Sequence, residues 1–395
     1  MNPSVCTSRG RRGPGGSAAT GAGEATGAVA VDIPRSLHTP LTSAAVPTPD
    51  LLRALLTAPG PSGYETAAAT VWREAARRFA EVSGDTLGSS VARVKGSGGP
   101  RLAIVGHIDE IGLIVTHVSD EGFLYFEGVG GWDAQILVGQ RVEVATRAGA
   151  IPGVVGKKPI HLLREEERKK VSELRDLHID IGAKDGDEAR GLVRVGDVAV
   201  IAGEPVELPN GRIVSRALDN RLGAYVALEA ARLVAEGEQA AAEVAAVAAV
   251  QEEITFAGSR TTVFALDPQV AIAVDVTFAT DAPGVEAKEL GEHKFGSGPV
   301  IGRGSTLSPH VVERLCAAAE AAEIPYTLAA SSRSTGTDAD AIQLARAGIP
   351  TGVVSIPLRY MHSPVEMVQL DDVEACARLI AAFAEALEAD ASFQR

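Results

Sequence analysis

The sequence predicts an α/β protein whose sheet is flanked by helices and whose chain is interrupted by a small β-rich insertion. Apolar strands alternate with amphipathic helices in two separate parts of the chain, which is typical of a sheet covered on both faces. Between these parts the sequence changes to short alternating strands separated by glycine turns. A hydrophobic fraction of 46% and a charged fraction of 22% suit a folded protein.

Composition divides the chain into a leader, one interrupted α/β domain and an insertion. Residues 1–47 are rich in Gly, Ala, Ser, Thr and Pro without a hydrophobic period, so we expect a disordered leader there. Residues 48–117 and 206–395 carry the alternation of strands and helices, and residues 118–205 carry the short strands. Because the first part supplies only a fraction of a sheet, the insertion is expected to interrupt a single domain.

Hydrophobic periodicity and turn residues predict the elements in chain order. The first part has helices at 50–56 and 66–82 and an apolar strand at 101–105 that leads to His107. In the insertion, the segments GFLYFEG, QRVEVAT and GDVAVIAG predict strands, and a charged helix is expected at 163–174. The second part predicts strands at 213–214, 244–250, 271–276 and 351–356 and helices at 222–236, 311–321 and 371–388.

Charge and composition argue against several kinds of partner. The formal net charge of −14 repels polyanions, so nucleic-acid binding is not expected. No apolar run approaches the length of a membrane-spanning helix, so no membrane association is expected. The three cysteines lack CxxC spacing and the amino end lacks an apolar export signal. A cytoplasmic location is therefore predicted.

His107 and Asp109 are the first candidate site residues. They stand two positions apart in the segment GHIDEIG, at the end of an apolar strand, so their side chains leave the same face of the chain. One can bind a metal while the other fixes its tautomer and orientation. Taken alone, the pair is better explained by a histidine that is satisfied at a strand end.

Three acidic residues follow in the second part of the chain. Asp219 precedes an amphipathic helix, where it can reach a cleft or act as an ordinary N-cap. Glu252 and Glu253 end a strand of small apolar residues. Since neighbours on an extended segment point opposite ways, one glutamate can bind a metal and the other can act as general base.

Asp275 and His362 complete the candidate set. Asp275 interrupts an apolar strand, where a buried carboxylate needs a cation or a metal ion. His362 follows the strand at 351–356, at the carboxyl end where open α/β sheets bind ligands. Together the five candidate ligands, in the order His, Asp, Glu, Asp and His, predict two divalent metal ions per subunit, zinc with cobalt or manganese as substitutes.

These segments resemble the dinuclear-zinc tetrahedral (TET) aminopeptidase family, whose glutamyl, leucyl and deblocking members are also labelled cellulase M or endoglucanase. The resemblance covers about residues 49–390 and rests on GHIDEIGLIV, GFLYFEGVGGWD, LDNRLGAY, VQEEITFAGSR, AIAVDVT and GTDADAIQLARAGIPTGVVSIPLRYMHSP in this order. It implies a mixed sheet of the zinc-peptidase type, interrupted by a β-barrel-like dimerisation domain. The chain departs from the family pattern at Asn220, where aspartate is usual, and at Thr255, where glycine is usual.

The resemblance also implies a role for each candidate residue. His107 and Asp275 would hold one zinc, Glu253 and His362 the other, and Asp219 would bridge them. Asp109 would orient His107, and Glu252 would be the general base. The family further implies small peptide substrates and a homo-oligomer in which dimers assemble into a dodecamer.

Three alternative functions are weighed beside the peptidase. A related two-zinc deacylase or carboxypeptidase uses the same ligand order, but its insertion is usually α/β and placed later in the chain. An endoglucanase would need only two carboxylates, yet 2 Trp and 5 Tyr provide few stacking platforms for sugars. A chaperone or scaffold would have no use for the five ligands. The preferred amino-terminal residue of the substrate cannot be inferred from the sequence.

Overall fold

The structure, a computed structural model, describes residues 47–237 and 240–393. The leader predicted for residues 1–47 therefore lies outside the described residues except for its last position. The described part combines a large mixed sheet flanked by helices with a closed six-stranded barrel, and this confirms the predicted fold class. None of its helices has the length and hydropathy needed to cross a bilayer.

The described residues form seventeen strands and twelve α-helices. The strands are β1 (Glu81–Gly84), β2 (Ser90–Val94), β3 (Arg101–His107), β4 (Gly112–Val118), β5 (Leu124–Val129), β6 (Arg141–Thr146), β7 (Gly149–Lys157), β8 (Leu177–Asp180), β9 (Val198–Ile201), β10 (Val206–Leu208), β11 (Arg212–Ser215), β12 (Glu243–Ala249), β13 (Val270–Phe278), β14 (Val300–Gly304), β15 (Thr327–Ser331), β16 (Thr351–Arg359) and β17 (Glu366–Gln369). The helices are α1 (Asp50–Thr57), α2 (Thr66–Ala76), α3 (Ala134–Leu137), α4 (Glu165–Arg168), α5 (Gly186–Leu192), α6 (Leu218–Glu236), α7 (Glu252–Thr255), α8 (Ala257–Leu266), α9 (Ala287–Leu290), α10 (Pro309–Ala321), α11 (Ala339–Ile342) and α12 (Leu370–Glu385).

Four parallel strands form the centre of the sheet, in the order β12, β3, β13 and β16. In β12 every residue from 244 to 249 is Ala or Val and is buried, which is typical of a parallel strand covered on both faces. The carboxyl ends of these strands meet at one edge, where α/β sheets bind ligands. Antiparallel strands extend the sheet on both sides of this centre.

The amino end of α6 packs directly on the centre of the sheet. A Cβ atom added at Gly106 would lie 2.2 Å from the carbonyl carbon of Gly223, and one added at Gly223 would lie 2.4 Å from the carbonyl oxygen of Val274. Both contacts are with backbone, which cannot turn aside as a side chain can. The two glycines therefore allow the start of α6, which carries Asp219, to lie against β3 and β13.

The barrel is a separate layer with its own hydrophobic core. Its strands follow one another in the order β4, β5, β8, β7, β6 and β9, and they enclose side chains such as Leu113, Phe126 and Ile179. The strands run from Gly112 to Ile201, whereas the predicted insertion runs from 118 to 205. The barrel is thus continuous with β3 through only a short connection that contains Asp109.

Two of the predicted helices are shorter than expected. The helix predicted at 66–82 ends at Ala76 because Val82 pairs with Ala92 in the β1–β2 hairpin. Of the charged helix predicted at 163–174, only α4 is helical. None of the α4 residues is buried, and so short a charged segment gains too little from packing to remain helical over its whole length.

Candidate metal centre

All seven candidate residues meet at the carboxyl edge of the sheet. His107 is the last residue of β3, Asp275 lies near the end of β13, and Asp219 lies in the first turn of α6. The four others occupy connections that leave the same edge: Asp109 follows β3, Glu252 and Glu253 follow β12, and His362 follows β16. Parallel pairing of the central strands explains this convergence, since it aligns their carboxyl ends.

Asp219 lies between the two histidines. Its Oδ1 is 3.3 Å from Nε2 of His107, and its Oδ2 is 3.4 Å from Nε2 of His362. Nε2 of His362 is also 3.4 Å from Oε2 of Glu253, and Nε2 of His107 is 3.6 Å from Oε2 of Glu252. One carboxylate therefore faces both imidazoles.

Two groups of three residues among the described ones present ligand atoms within 4.8 Å of one another. The first contains His107, Asp219 and Glu253, and the second contains His107, Glu252 and Asp275. Both groups share His107, so they do not repeat the division of ligands implied by the family. Of the six other histidines in the sequence, none in the described residues joins either group, and His38 lies outside the described residues.

Buried negative charge dominates the electrostatics of this cluster. Burial raises the pKa of Glu252 to about 10 and that of Asp275 well above its ordinary value. Burial also raises the pKa of Glu253, against hydrogen bonding from His362. Hydrogen bonds to Asp219 and Glu253 in turn raise the pKa of His362 to about 11. Four crowded carboxylates and two imidazoles thus form a donor set that fits divalent cations, which would neutralise the excess negative charge.

Asp109 is fully buried and joins four neighbours. Its Oδ1 lies 3.4 Å from Nδ1 of His107, as expected for a residue that orients this imidazole. The same carboxylate accepts hydrogen bonds from the backbone N–H groups of Glu252 and Glu253, at 3.0 and 3.1 Å, and from the hydroxyl of Ser62 at 2.5 Å. Asp109 therefore holds both glutamates as well as the histidine.

The two glutamates stand on a short helical turn, so the expectation that they end a strand is wrong. β12 ends at Ala249, Gln251 has a positive φ of 60°, and α7 begins at Glu252. The left-handed residue turns the chain away from the strand, and Asp109 accepts the N–H groups at the start of α7. The divergence of Glu252 and Glu253 therefore comes from this turn and not from strand alternation.

Glu366 is a functional residue that the sequence reasoning missed. It is buried, its Oε2 accepts the backbone N–H of Asp219 at 3.0 Å, and its Oε1 accepts that of His362 at 2.8 Å. It therefore holds two candidate ligands through their backbone N–H groups. The available signal was a glutamate four residues after His362, but its contact with Asp219 depends on the pairing of β17 with β11.

The barrel also contacts the site, through the turn at 128–132. Nδ1 of His362 lies 3.1 Å from the carbonyl oxygen of Gly131; as the donor, Nδ1–H leaves Nε2 free to bind a cation. Gly130 has a φ of 77°, and a Cβ atom added there would lie 2.5 Å from Cγ2 of Ile111. The glycines of this turn thus allow it to approach His362.

The backbone at Asp219 departs from helical geometry. The peptide bond between Asp219 and Asn220 is cis. Asn220 donates a hydrogen bond from Nδ2 to the carbonyl of Val274 at 2.8 Å and accepts one at Oδ1 from the N–H of Gly223 at 2.7 Å. Both polar atoms of the Asn220 amide are therefore hydrogen-bonded.

Comparison with known proteins identifies the family. A profile described as M42 glutamyl aminopeptidase matches residues 88–379, and every candidate site residue lies inside this range. The chain belongs to the M42 aminopeptidase family. It is a metal-dependent aminopeptidase, a hydrolase that removes residues from the amino end of peptides. The predicted enzyme class is thereby confirmed, and the deacylase, carboxypeptidase and endoglucanase alternatives are not favoured.

Individual relatives agree with this M42 assignment over nearly their whole length. A lysyl aminopeptidase from Pyrococcus furiosus is 36% identical over 346 residues, which is 86% of this chain and 97% of the relative. The structure of a TET aminopeptidase from a marine sediment Thaumarchaeota archaeon superposes with a TM-score of 0.81 at 38% identity, covering 86% and 96% of the two chains. The TET1 peptidase of Pyrococcus horikoshii, described as assembling into a tetrahedron or an octahedral shell, gives a TM-score of 0.76 at 33% identity, covering 85% and 99%.

Proposed function

We propose that this M42 aminopeptidase uses two divalent cations, zinc in the first place, held at the carboxyl edge of the sheet. The observation that carries the proposal is the position of Asp219, whose two oxygens face the two histidines at 3.3 and 3.4 Å. A carboxylate with one oxygen toward each imidazole has the geometry of a bridging ligand. Imidazole and carboxylate donors suit zinc, with cobalt or manganese as substitutes.

The proposed division of ligands follows the family. His107 and Asp275 would hold one cation, Glu253 and His362 the other, and Asp219 both. Asp109, with an oxygen 3.4 Å from Nδ1 of His107, would favour the tautomer that leaves Nε2 free, and the Gly131 carbonyl would do the same for His362. Each histidine is thus supported at Nδ1 by a separate acceptor.

Glu252 is proposed as the general base and acid of the reaction. When bound, the two cations would polarise the scissile carbonyl and make a water more acidic. Glu252 lines the cavity at the site and is not wholly buried, so its carboxylate can take a proton from the attacking water. It then passes this proton to the leaving amine, which completes cleavage of the first peptide bond.

The test of this proposal is removal and replacement of metal. Treatment with a chelator should abolish hydrolysis of aminoacyl p-nitroanilides, and zinc or cobalt should restore it, with two cations per chain by elemental analysis. His362→Ala should lose one of the two cations, whereas His117→Ala, on the barrel surface, should keep both. Activity that persists in chelator, or that appears only on glucans, would contradict the proposal.

We further propose that residues 118–205 form a dimerisation domain inserted into the peptidase domain of residues 48–117 and 206–395, and that dimers assemble into a dodecamer. The insertion exposes large apolar side chains: Val154, Ile160, Leu162, Val171, Leu192 and Val195 are all between 46% and 67% exposed. Such exposure on a small domain is typical of an association surface. Light scattering should give the mass of twelve chains, and Leu162→Asp with Val171→Asp should reduce it.

A cytoplasmic location is proposed from the cysteines. The two in the described residues, Cys316 and Cys376, are free, as expected for a protein of a reducing compartment. Cell fractionation followed by immunodetection tests this location; recovery of the protein in the culture medium would contradict it.

A further inference from the structure

A cavity of about 270 Å³ lies directly over the proposed metal ligands. Its polar lining consists of the ligand and base residues already described. Its remaining lining consists of Phe256, Val276, Gly336 and Met361. Every side chain that faces this space without a proposed role in binding metal or moving protons is therefore apolar or absent.

The charged residues that line the cavity all have a proposed role in binding the cations or in the reaction. The lining contains four carboxylates, Asp219, Glu252, Glu253 and Asp275. Two divalent cations balance these four negative charges when the histidines are neutral. No charge then remains in the lining to pair with the side chain of an amino-terminal lysine or glutamate of the substrate.

Three other charged residues close by line a second recess, which shares Asp219, Glu253 and His362 with the cavity. Glu110, Arg216 and Glu366 line this recess, whose volume of about 10 Å³ is room for about one water molecule. Arg216 forms an ion pair with Glu110, and Glu366 accepts two backbone N–H groups. These charges are paired, and a substrate side chain does not fit beside them.

Large apolar side chains are also exposed next to the cavity-lining positions. Ile254, Phe278 and Tyr360 are 49%, 47% and 46% exposed. Each is within two residues of a residue that lines the cavity. A concave site lined by apolar side chains, with polar groups only at the reacting centre, is typical of a pocket for an apolar ligand.

We infer that the enzyme prefers peptides whose first residue is uncharged and apolar, such as leucine, methionine or phenylalanine. This inference rests on the proposed two-metal function, because the same site must bind the first residue. A charged first side chain would have to lose its water in a cavity without a partner for it. Its kcat/KM should therefore be lower by on the order of 10-fold or more than that of leucine.

The experiment measures kcat/KM for the p-nitroanilides of Leu, Met, Phe, Lys and Glu with the zinc-loaded full chain. The leaving group is constant, so differences report the first residue alone. Leu, Met or Phe should exceed both Lys and Glu by at least the order of 10-fold. Lys or Glu turned over as fast as Leu, with chelator-sensitive activity, would overturn the preference and leave the two-metal function standing. If none of the five substrates gave chelator-sensitive turnover, this result would instead contradict the two-metal function on which the preference rests.

A matched pair of variants locates the preference in the cavity. Met361→Glu adds a carboxylate to the lining and should raise the Lys to Leu ratio of kcat/KM by on the order of 10-fold. Val365→Glu adds the same charge on the same turn, at an exposed position outside the cavity lining, and should leave the ratio unchanged. Metal content is measured for both. Equal ratios in the two metal-loaded variants would overturn the assignment of this cavity to the first residue.

Discussion

The proposed metal centre has two sides, which we call the His107 half and the His362 half after the histidine in each. The two halves are built differently. In the His107 half, the imidazole ends a core strand, its side chain is 1% exposed, and the residue that supports it follows two positions later. In the His362 half, the imidazole stands on an irregular turn and its side chain is 36% exposed. There the supports are Glu366, which also holds Asp219, and a carbonyl from the barrel.

This difference separates a rigid half from one that depends on distant parts of the chain. The His107 half is positioned by the buried parallel strands of the sheet, which are ordered without a substrate or partner. The His362 half needs the barrel turn and strand β17 to be in place. We therefore expect loss of the residue that supports His107 to weaken metal binding most, and changes around His362 to affect one cation selectively.

The largest expected effect is that of Glu252→Gln in the His107 half. The amide cannot take up the proton of the attacking water, so kcat should fall by on the order of 10² to 10⁴-fold. Steady-state kinetics with a leucine substrate measures the loss. Elemental analysis of the same sample should still find two cations per chain; loss of metal would make Glu252 a ligand, which its grouping with His107 and Asp275 also permits.

Asp109→Asn and Glu366→Gln compare the supports of the two halves. Each replaces a carboxylate that accepts two backbone N–H groups by an amide with one acceptor oxygen. Loss of such support weakens metal binding by about 10 to 100-fold. Titration of zinc against a competing chelator should place Asp109→Asn at the upper end, because Asp109 also contacts His107. Glu366→Gln should weaken most the binding step that uses His362, since its remaining acceptor oxygen cannot hold the backbone of both His362 and Asp219.

A larger loss of zinc affinity in Glu366→Gln than in Asp109→Asn would contradict the comparison of the halves. Glu229→Gln is a suitable control, since Glu229 pairs with Arg232 on the exposed side of α6. It should bind both cations as the unaltered protein does. A general loss of stability would lower both binding steps alike, so a selective change in one step distinguishes support of a ligand from support of the fold.

The His107 half was predictable because its signals are local. Apolar runs mark β3, β12, β13 and β16 in the sequence, and His107 and Asp275 stand at or near the ends of two of them. Since parallel strands align their carboxyl ends, the convergence of these residues follows from the pattern alone. The same apolar runs thus predict both the sheet and this part of the site.

The rest of the site was not predictable because it joins distant residues. Glu366 and Asp219 are separated by 147 positions, and Gly131 and His362 by 231, so no local pattern connects them. Helix α8 was missed for a related reason: its sequence AGSRTTVFAL has a glycine and β-branched residues, which favour helix weakly. Packing against β12 and β3 decides its conformation.

A smaller effect concerns the pH dependence of stability in the His107 half. Glu65 is buried, and its Oε1 accepts the N–H groups of Gly63 and Gln251, the residue before Glu252. Burial raises the pKa of Glu65 to about 7. A carboxyl with a raised pKa in the folded state stabilises it most at low pH, and this contribution is lost as pH rises through about 7.

Glu65→Gln should remove this pH dependence while keeping an acceptor oxygen for both N–H groups. The free energy of unfolding of the variant should exceed that of the unaltered protein by about 2 kcal/mol at pH 8, and the difference should vanish near pH 4. Urea denaturation of the metal-free proteins at several pH values measures it. A variant that is less stable at pH 8 would mean that the ionised carboxylate strengthens the fold at this position.

The smallest expected effect tests the barrel contact in the His362 half. Gly130→Ala places a Cβ atom 2.5 Å from Cγ2 of Ile111 at a φ of 77°, so the turn is strained and the turn or Ile111 must shift. Gly131→Ala places one 3.4 Å from Nδ1 of His362, which is close to ordinary contact. The first variant should lower the affinity for the cation held by His362 by about 2 to 5-fold. The second variant should leave this affinity nearly unchanged. Equal affinities in both variants would mean that the barrel carbonyl does not support His362, and the two halves would then differ only in their exposure.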